Sequence, residues 1–304
     1  MKKRYTDYNS HLRSMFKERV QKISVDAGLT CPNRDGKLSG TGCIYCNSKG
    51  SGTNASARGL SIKEQIEAGK IGARIKYKAK KFLAYFQSYT NTYTSCAHMK
   101  EIFDEALSCD GVVGMAIGTR PDCIDPEKLD LLEAYARDFL VWLEYGLQSI
   151  HDETLKRINR GHTFQDFLDA VDMTKGRGIH ICTHVILGLP GEDRAMMMET
   201  ADRLARAGIN GIKLHLLYVI RGTPLDEIYL NGEYTCLEQE EYVNLVCDFI
   251  ERLPKDMIIQ RITGDPHSDE LRAPDWAARY RQTFNMIQHA MEERDSFQGK
   301  KFKP

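Results

Sequence analysis

Gly111-Val-Val-Gly-Met-Ala-Ile-Gly-Thr119, then Pro126-Glu-Lys-Leu-Asp-Leu-Leu-Glu-Ala-Tyr-Ala-Arg137, then Val141-Trp-Leu-Glu-Tyr-Gly-Leu-Gln-Ser149 is the passage that decides the fold. The first and third runs are short, apolar and almost uninterrupted, as strands buried on both faces are. The middle run has strong helix formers at helical spacing, opened by a proline suited to a first turn. The same unit recurs along the chain. Apolar runs lie at 22–27, 81–89, 111–119, 141–149, 179–189, 209–220 and 257–263, with helical stretches at 62–76, 99–107, 126–137, 164–175, 194–207 and 238–252. Strands alternating with helices predict parallel pairing through right-handed crossovers, hence an α/β sheet or barrel with its site at the carboxyl ends of the strands. No Gly-, Pro- or Ser-rich linker divides the chain. One domain is expected over 1–304: a core at about 22–265, a basic amino-terminal extension at 1–21, and a carboxyl-terminal helical region and tail at 266–304. The last residues, 292–304, are expected to fray.

Composition excludes several classes. Of 304 residues, 42% are hydrophobic, 42 are Lys or Arg and 42 are Asp or Glu, so the molecule has no bulk field to draw in polyanions. No apolar stretch approaches the roughly 20 residues of a membrane span. Met1-Lys-Lys-Arg-Tyr5 has no apolar segment behind it, so no secretory signal is visible and a cytoplasmic protein is expected. Charge is unevenly placed: residues 1–22 carry seven Lys or Arg against Asp7 and Glu18, and residues 63–81 carry seven against Glu64 and Glu67. Each run alone reads as a solvated helix face; together they leave room for an RNA partner.

Nine cysteines without a secretion signal point to metal or redox chemistry rather than disulfides. Three stand in one loop, Cys31-Pro-Asn-Arg-Asp-Gly-Lys-Leu-Ser-Gly-Thr-Gly-Cys43-Ile-Tyr-Cys46. The close pair sets two thiolates on one turn, and the Gly-containing loop lets the third fold back. A structural zinc site or a fully protein-held 4Fe-4S cluster takes four ligands, whereas three leave one iron open. Zinc completed by His11 or Cys96 is the competing reading at this point. Cys96, Cys109, Cys123, Cys182, Cys236 and Cys247 form no further close pair and read mostly as small buried hydrophobes; Cys123, past a strand end, is a candidate active-site thiol.

The chain resembles the radical S-adenosylmethionine superfamily, and within it the radical domain of the Elongator catalytic subunit and a shorter bacterial group, the YhcC-like proteins. The blocks that carry this run in order: the trio with Tyr45 before its last member, Gly118-Thr-Arg-Pro-Asp122, Leu143-Glu-Tyr-Gly-Leu-Gln-Ser149, Arg157-Ile-Asn-Arg-Gly-His-Thr163, His184-Val-Ile-Leu-Gly-Leu-Pro-Gly191 and Lys213-Leu-His-Leu-Leu-Tyr-Val-Ile-Arg-Gly-Thr223. The resemblance implies a partial, three-quarter parallel β/α barrel. It implies a 4Fe-4S cluster on Cys31, Cys43 and Cys46 whose open iron chelates S-adenosylmethionine. Reductive cleavage then yields a 5′-deoxyadenosyl radical, the cofactors carrying the hard chemistry. The cofactor-binding residues it implies are Tyr45, Gln87, Ser88, Thr119, Asp122, Glu144, Gln148, Arg157, Arg160, His184, Ile186 and Gly188. Glu144 and Gln148 face S-adenosylmethionine, Arg160 could grip a carboxylate with its guanidinium fork, and the strand end at Ile186 and Gly188 cradles adenine. Lys213, Arg221 and Cys123 are the catalytic candidates on the substrate side. Implied partners are tRNA, modified at the wobble-uridine side chain, and a reducing donor such as flavodoxin or ferredoxin.

The chain also departs from these patterns. Where many superfamily members have Gly-Gly-Glu, it reads Tyr85-Phe86-Gln87-Ser88-Tyr89-Thr90-Asn91, and the first gap in the trio is long. No acetyltransferase segment follows residue 265, so the Elongator subunit's acetyl-CoA chemistry is not expected. Two other readings stay open: the same radical chemistry on a small metabolite or a protein side chain, and a non-catalytic zinc or iron-sulfur protein.

Overall fold

A computed structural model describes residues 3–47, 50 and 55–304. Seven strands form one sheet: β1 (Val20–Val25), β2 (Lys81–Phe86), β3 (Val112–Thr119), β4 (Leu140–Gln148), β5 (His180–Leu187), β6 (Gly211–Leu216) and β8 (Ile258–Arg261), neighbours in that order and parallel throughout. Two short strands, β7 (Val219–Ile220) and β9 (Leu271–Ala273), pair antiparallel beside it. The helices are α1 (Tyr8–Phe16), α2 (Ile62–Tyr77), α3 (Cys96–Leu107), α4 (Pro126–Ala136), α5 (Asp152–Arg157), α6 (Phe164–Thr174), α7 (Arg194–Leu204), α8 (Pro224–Leu230), α9 (Gln239–Arg252) and α10 (Tyr280–Glu293).

Strand periodicity separates two layers. One set of side chains, including Phe82, Ile117, Leu143, Val185 and Leu214, packs outward under the helices. The alternate set points into the curl: Val20, Leu83, Ala116, Trp142, Cys182 and Ile258 form an apolar floor. The curl is tight enough for Lys22 of β1 to reach Gln260 of β8 at 2.8 Å, first strand to last. Helix α1 closes the floor from below: Leu12 is buried in it, and Tyr8 meets the edge of Trp142 at 5.6 Å between ring centroids. The alternation of runs implied an α/β sheet or barrel, and the curled half-barrel is the partial barrel that the resemblance implied.

Two expectations are corrected, and the basic extension takes a defined place. The run 209–220 is not one strand: β6 stops at Leu216 and β7 pairs elsewhere. The 1–21 extension is part of the architecture, contributing α1 and a bridge from Asp7 to Ile259 on the edge of β8. The tail does not fray. The Ser296 hydroxyl donates to Glu251 at 2.6 Å, and the Gln298 amide donates to the Pro254 and Met257 carbonyls at 2.6 and 2.7 Å. No described helix is long and apolar enough to cross a membrane.

Candidate active site

A cavity of about 950 Å³ opens at the carboxyl ends of the strands, where a parallel β/α fold collects its loops. Cys31, Cys43 and Cys46 all line it. Their loop is pinned at several points. Asn33 donates its amide to the Asn159 carbonyl at 2.5 Å and points an N–H at the Cys43 sulfur at 3.6 Å; Arg34 donates to the Cys46 and Asn47 carbonyls, both at 2.6 Å.

Arg160 is the electrostatic partner of the trio. Its Nε and one terminal nitrogen donate to the Gly146 carbonyl at 3.0 and 2.6 Å, and the other terminal nitrogen lies 3.5 Å from the Cys43 sulfur. Burial alone would raise the Cys43 pKa, but the Arg160 guanidinium, with Tyr45 and Arg120, brings it below the ordinary thiol value. Burial and the neighbouring Cys43 thiolate push Cys46 the other way. The environment therefore favours thiolate at Cys43, the form that ligates iron. Among the described residues, no three His, Cys, Asp or Glu converge on a point that could hold a single metal ion, and neither suggested fourth zinc ligand lines the cavity. His11 packs on Trp142 and His180, and Cys96 opens α3. Three separated sulfurs around a wide cavity fit the 4Fe-4S cluster.

Of the other expected ligand contacts, Tyr45, Gln87, Thr119, Glu144, Gln148, Arg160, His184 and Ile186 line the cavity. Gln148 holds a left-handed backbone, φ 82°, at the end of β4. Glu144 is fully buried and bound on three sides: Lys22 at 2.6 Å, His184 Nε2 at 2.9 Å, and the Lys213 ammonium. Burial opposes its ionisation, but Lys213, Lys22 and His184 outweigh it and hold the carboxyl well below the usual range. Lys213 also donates to the Tyr85 hydroxyl at 3.0 Å.

The remaining residues sit elsewhere. Ser88 is buried and its carbonyl accepts from Asn91 at 3.0 Å. Asp122 takes the Arg120 fork at 2.9 and 2.7 Å. Arg157 and Gly188 line a second cavity of about 440 Å³ with Ile44 and Leu237. Arg221 is exposed beyond β7. Cys123 is buried, and burial with the adjacent Asp122 pushes its thiol up to about 12, far from a thiolate at neutral pH. Sequence reasoning missed Lys22, Asn33, Tyr85, Arg120 and Arg261. Asn33, Tyr85 and Arg120 lay inside quoted stretches and Arg261 inside an apolar run, and Lys22 and Tyr85 carry the inward parity of their strands.

Known proteins match as follows. The profile described as Radical SAM superfamily covers residues 31–204, and that of the Radical_SAM C-terminal domain covers 209–293. Uncharacterized protein YtqA of Bacillus subtilis is 41% identical over 99% of this chain and 93% of its own length. Protein YhcC of Escherichia coli is 36% identical over 88% of this chain and 86% of its own length. The tRNA uridine(34) acetyltransferase of Methanocaldococcus jannaschii is 31% identical over 50% of this chain and 28% of its own length. Among solved structures, the archaeal Methanocaldococcus infernus Elp3 superposes with a TM-score of 0.70 at 18% identity, covering 92% of this chain and 64% of that one. The chain thus spans under two thirds of that longer protein.

Proposed function

The chain belongs to the radical SAM superfamily, and from that membership we propose that it modifies the wobble-uridine side chain of tRNA by radical chemistry. The observation that carries the radical chemistry is that Cys31, Cys43 and Cys46, with the buried Arg160, all line one cavity at the carboxyl ends of the strands. When bound, the family's 4Fe-4S cluster and S-adenosylmethionine supply a 5′-deoxyadenosyl radical able to abstract hydrogen from a substrate.

This chain's residues prepare that chemistry. Cys31, Cys43 and Cys46 would hold the cluster, and Arg160 favours the ligating form of Cys43. Tyr45, Gln87, Thr119, Gln148 and Ile186 face the cavity where S-adenosylmethionine would lie. Glu144 shapes the inner end by fixing Lys22, Lys213 and His184. Tyr218, His267 and Arg58 stand on the cavity wall toward solvent and suit an unstacked base entering from outside. The tRNA substrate is supported by likeness to a tRNA uridine(34) acetyltransferase over half the chain. A flavodoxin- or ferredoxin-type protein would supply the electron.

Two measurements test this. The anaerobically reconstituted protein should cleave S-adenosylmethionine with a strong reductant, and Cys43→Ala should abolish it. Mass spectrometry of tRNA nucleosides should show a wobble-uridine species changed in a strain lacking the gene. An unchanged nucleoside profile alongside active cleavage would move the substrate to a small metabolite or a protein.

A further inference from the structure

We propose that the outer face of α2 is a binding track for the stem of an RNA hairpin whose unpaired loop base enters the cavity. This rests on the RNA reading above. The fold joins what the sequence separates: residues 13–19 and 74–81 meet at the amino end of the barrel, where Val20 and Lys81 are register partners. The Arg19 guanidinium stacks on the Tyr77 ring at 4.9 Å, Lys81 donates to the Phe16 carbonyl at 3.4 Å, and Lys80 lies 3.8 Å from Glu18. The two stretches hold Arg13, Lys17, Arg19, Arg74, Lys76, Lys78, Lys80 and Lys81 with a single acid, Glu18, in a chain whose total charge is zero.

Cations recur at the end of α2 nearest the site. Arg58, just before α2, lines the cavity, and Lys63 stands exposed on the first turn of the helix. The acids on α2 are already engaged: Glu64 closes the capping box with Ser61, and Glu67 pairs with the buried Lys70 at 2.6 Å. Sixteen helical residues span about 24 Å at 1.5 Å each. Cations at the two ends of that length, Arg58 and Lys63 toward the cavity and the 74–81 group at the other end, match a phosphate backbone leading to a loop. Ile71 and Ile75, 62% and 78% exposed, stand between the cations. They provide the non-ionic contact that shape recognition of an RNA helix uses.

The test uses reconstituted holoprotein and two labelled RNAs, an anticodon stem-loop and the same loop as an unstructured strand, titrated at about 50 and 200 mM salt. The triple variant Arg74→Gln/Lys76→Gln/Lys78→Gln should lose at least tenfold in stem-loop affinity. Its slope of log affinity against log salt should fall by about 2, since each phosphate contact contributes about 0.7 to 0.9. Binding of the unstructured strand and RNA-independent cleavage of S-adenosylmethionine should stay at wild-type values, as should the stem-loop affinity of Arg281→Gln on α10. A triple variant with wild-type slope and affinity overturns the track while leaving the RNA reading intact. A wild-type protein that binds neither RNA overturns both, and Ile71 and Ile75 would then belong to a protein interface.

Discussion

Arg160 shows how far a single side chain could be read in advance. The sequence marked it as a guanidinium fork for a ligand's carboxylate; in the structure the fork spans the Gly146 carbonyl and the Cys43 sulfur. The residue type carried the chemistry, but a contact across more than a hundred positions has no local signature. In the cluster-free protein, Arg160→Ala should therefore shift the pH profile of Cys43 alkylation upward, lowering its rate at pH 7.5. Quantitative mass spectrometry of the alkylated peptide measures this, and an unmoved profile would separate Arg160 from the thiolate. His184 makes a second residue-scale prediction. Burial, with the nearby Lys213, lowers its pKa from 6.5 to about 4 despite its bond to Glu144. The unfolded chain then binds the proton more readily than the folded one. Stability should fall as pH drops below 6.5 and level off below about 4. The contribution is about 2 kcal/mol by pH 5, at 1.36 kcal/mol per pH unit. Urea titrations at pH 7.5 and 5 should show a smaller pH loss for His184→Gln than for wild type; equal losses would remove His184 from the account.

At the scale of elements, the seven sheet strands were legible because parallel strands buried on both faces must be apolar nearly throughout. β4, buried at every position from Leu140 to Gln148, is the clearest case. Its Glu144 also announced itself, since an acid in such a run requires partners. Helix α1 was illegible for the opposite reason: it is mostly polar, and Leu12 alone is buried on it. Its task is to seal the lumen floor under Trp142, and nothing in residues 8–16 specifies where that floor lies. The seal gives Leu12 a weight its surroundings in sequence would not suggest. Leu12→Ala should cost about 2 to 5 kcal/mol, as for other buried leucines, and lower the urea midpoint with an unchanged slope. A loss under half a kcal/mol would mean that α1 lies on the barrel without closing it.

Across the whole molecule, the two chain ends meet at the last strand, which carries the far wall of the cavity. Thr6 donates its N–H to Gln298 Oε1 at 2.9 Å, and its carbonyl accepts from the Ile259 N–H at 2.8 Å; the Gln298 N–H donates to the Arg4 carbonyl at 2.9 Å. The tail looked frayed in sequence because it is short, polar and lysine-rich. Hydrogen bonds rather than apolar burial hold it, and a linear pattern does not reveal those. Ser296 and Gln298 are 0% and 4% exposed, and Lys301 pairs with the buried Glu251. Removing residues 295–304 would strip partners from Glu251 and from the Pro254 and Met257 carbonyls, each buried orphan costing about 1 to 3 kcal/mol. The truncated chain should unfold at least 3 kcal/mol more easily. Its amide hydrogens on β8 should exchange faster than those on β4, because the lost bonds hold α9, Thr6 and the 254–257 turn that leads into β8 rather than β4. Hydrogen exchange resolved by peptide would expose the error in this account if β8 and β4 lost protection equally, since the tail would then be stabilising the barrel as a whole rather than the strand that carries Gln260 and Arg261.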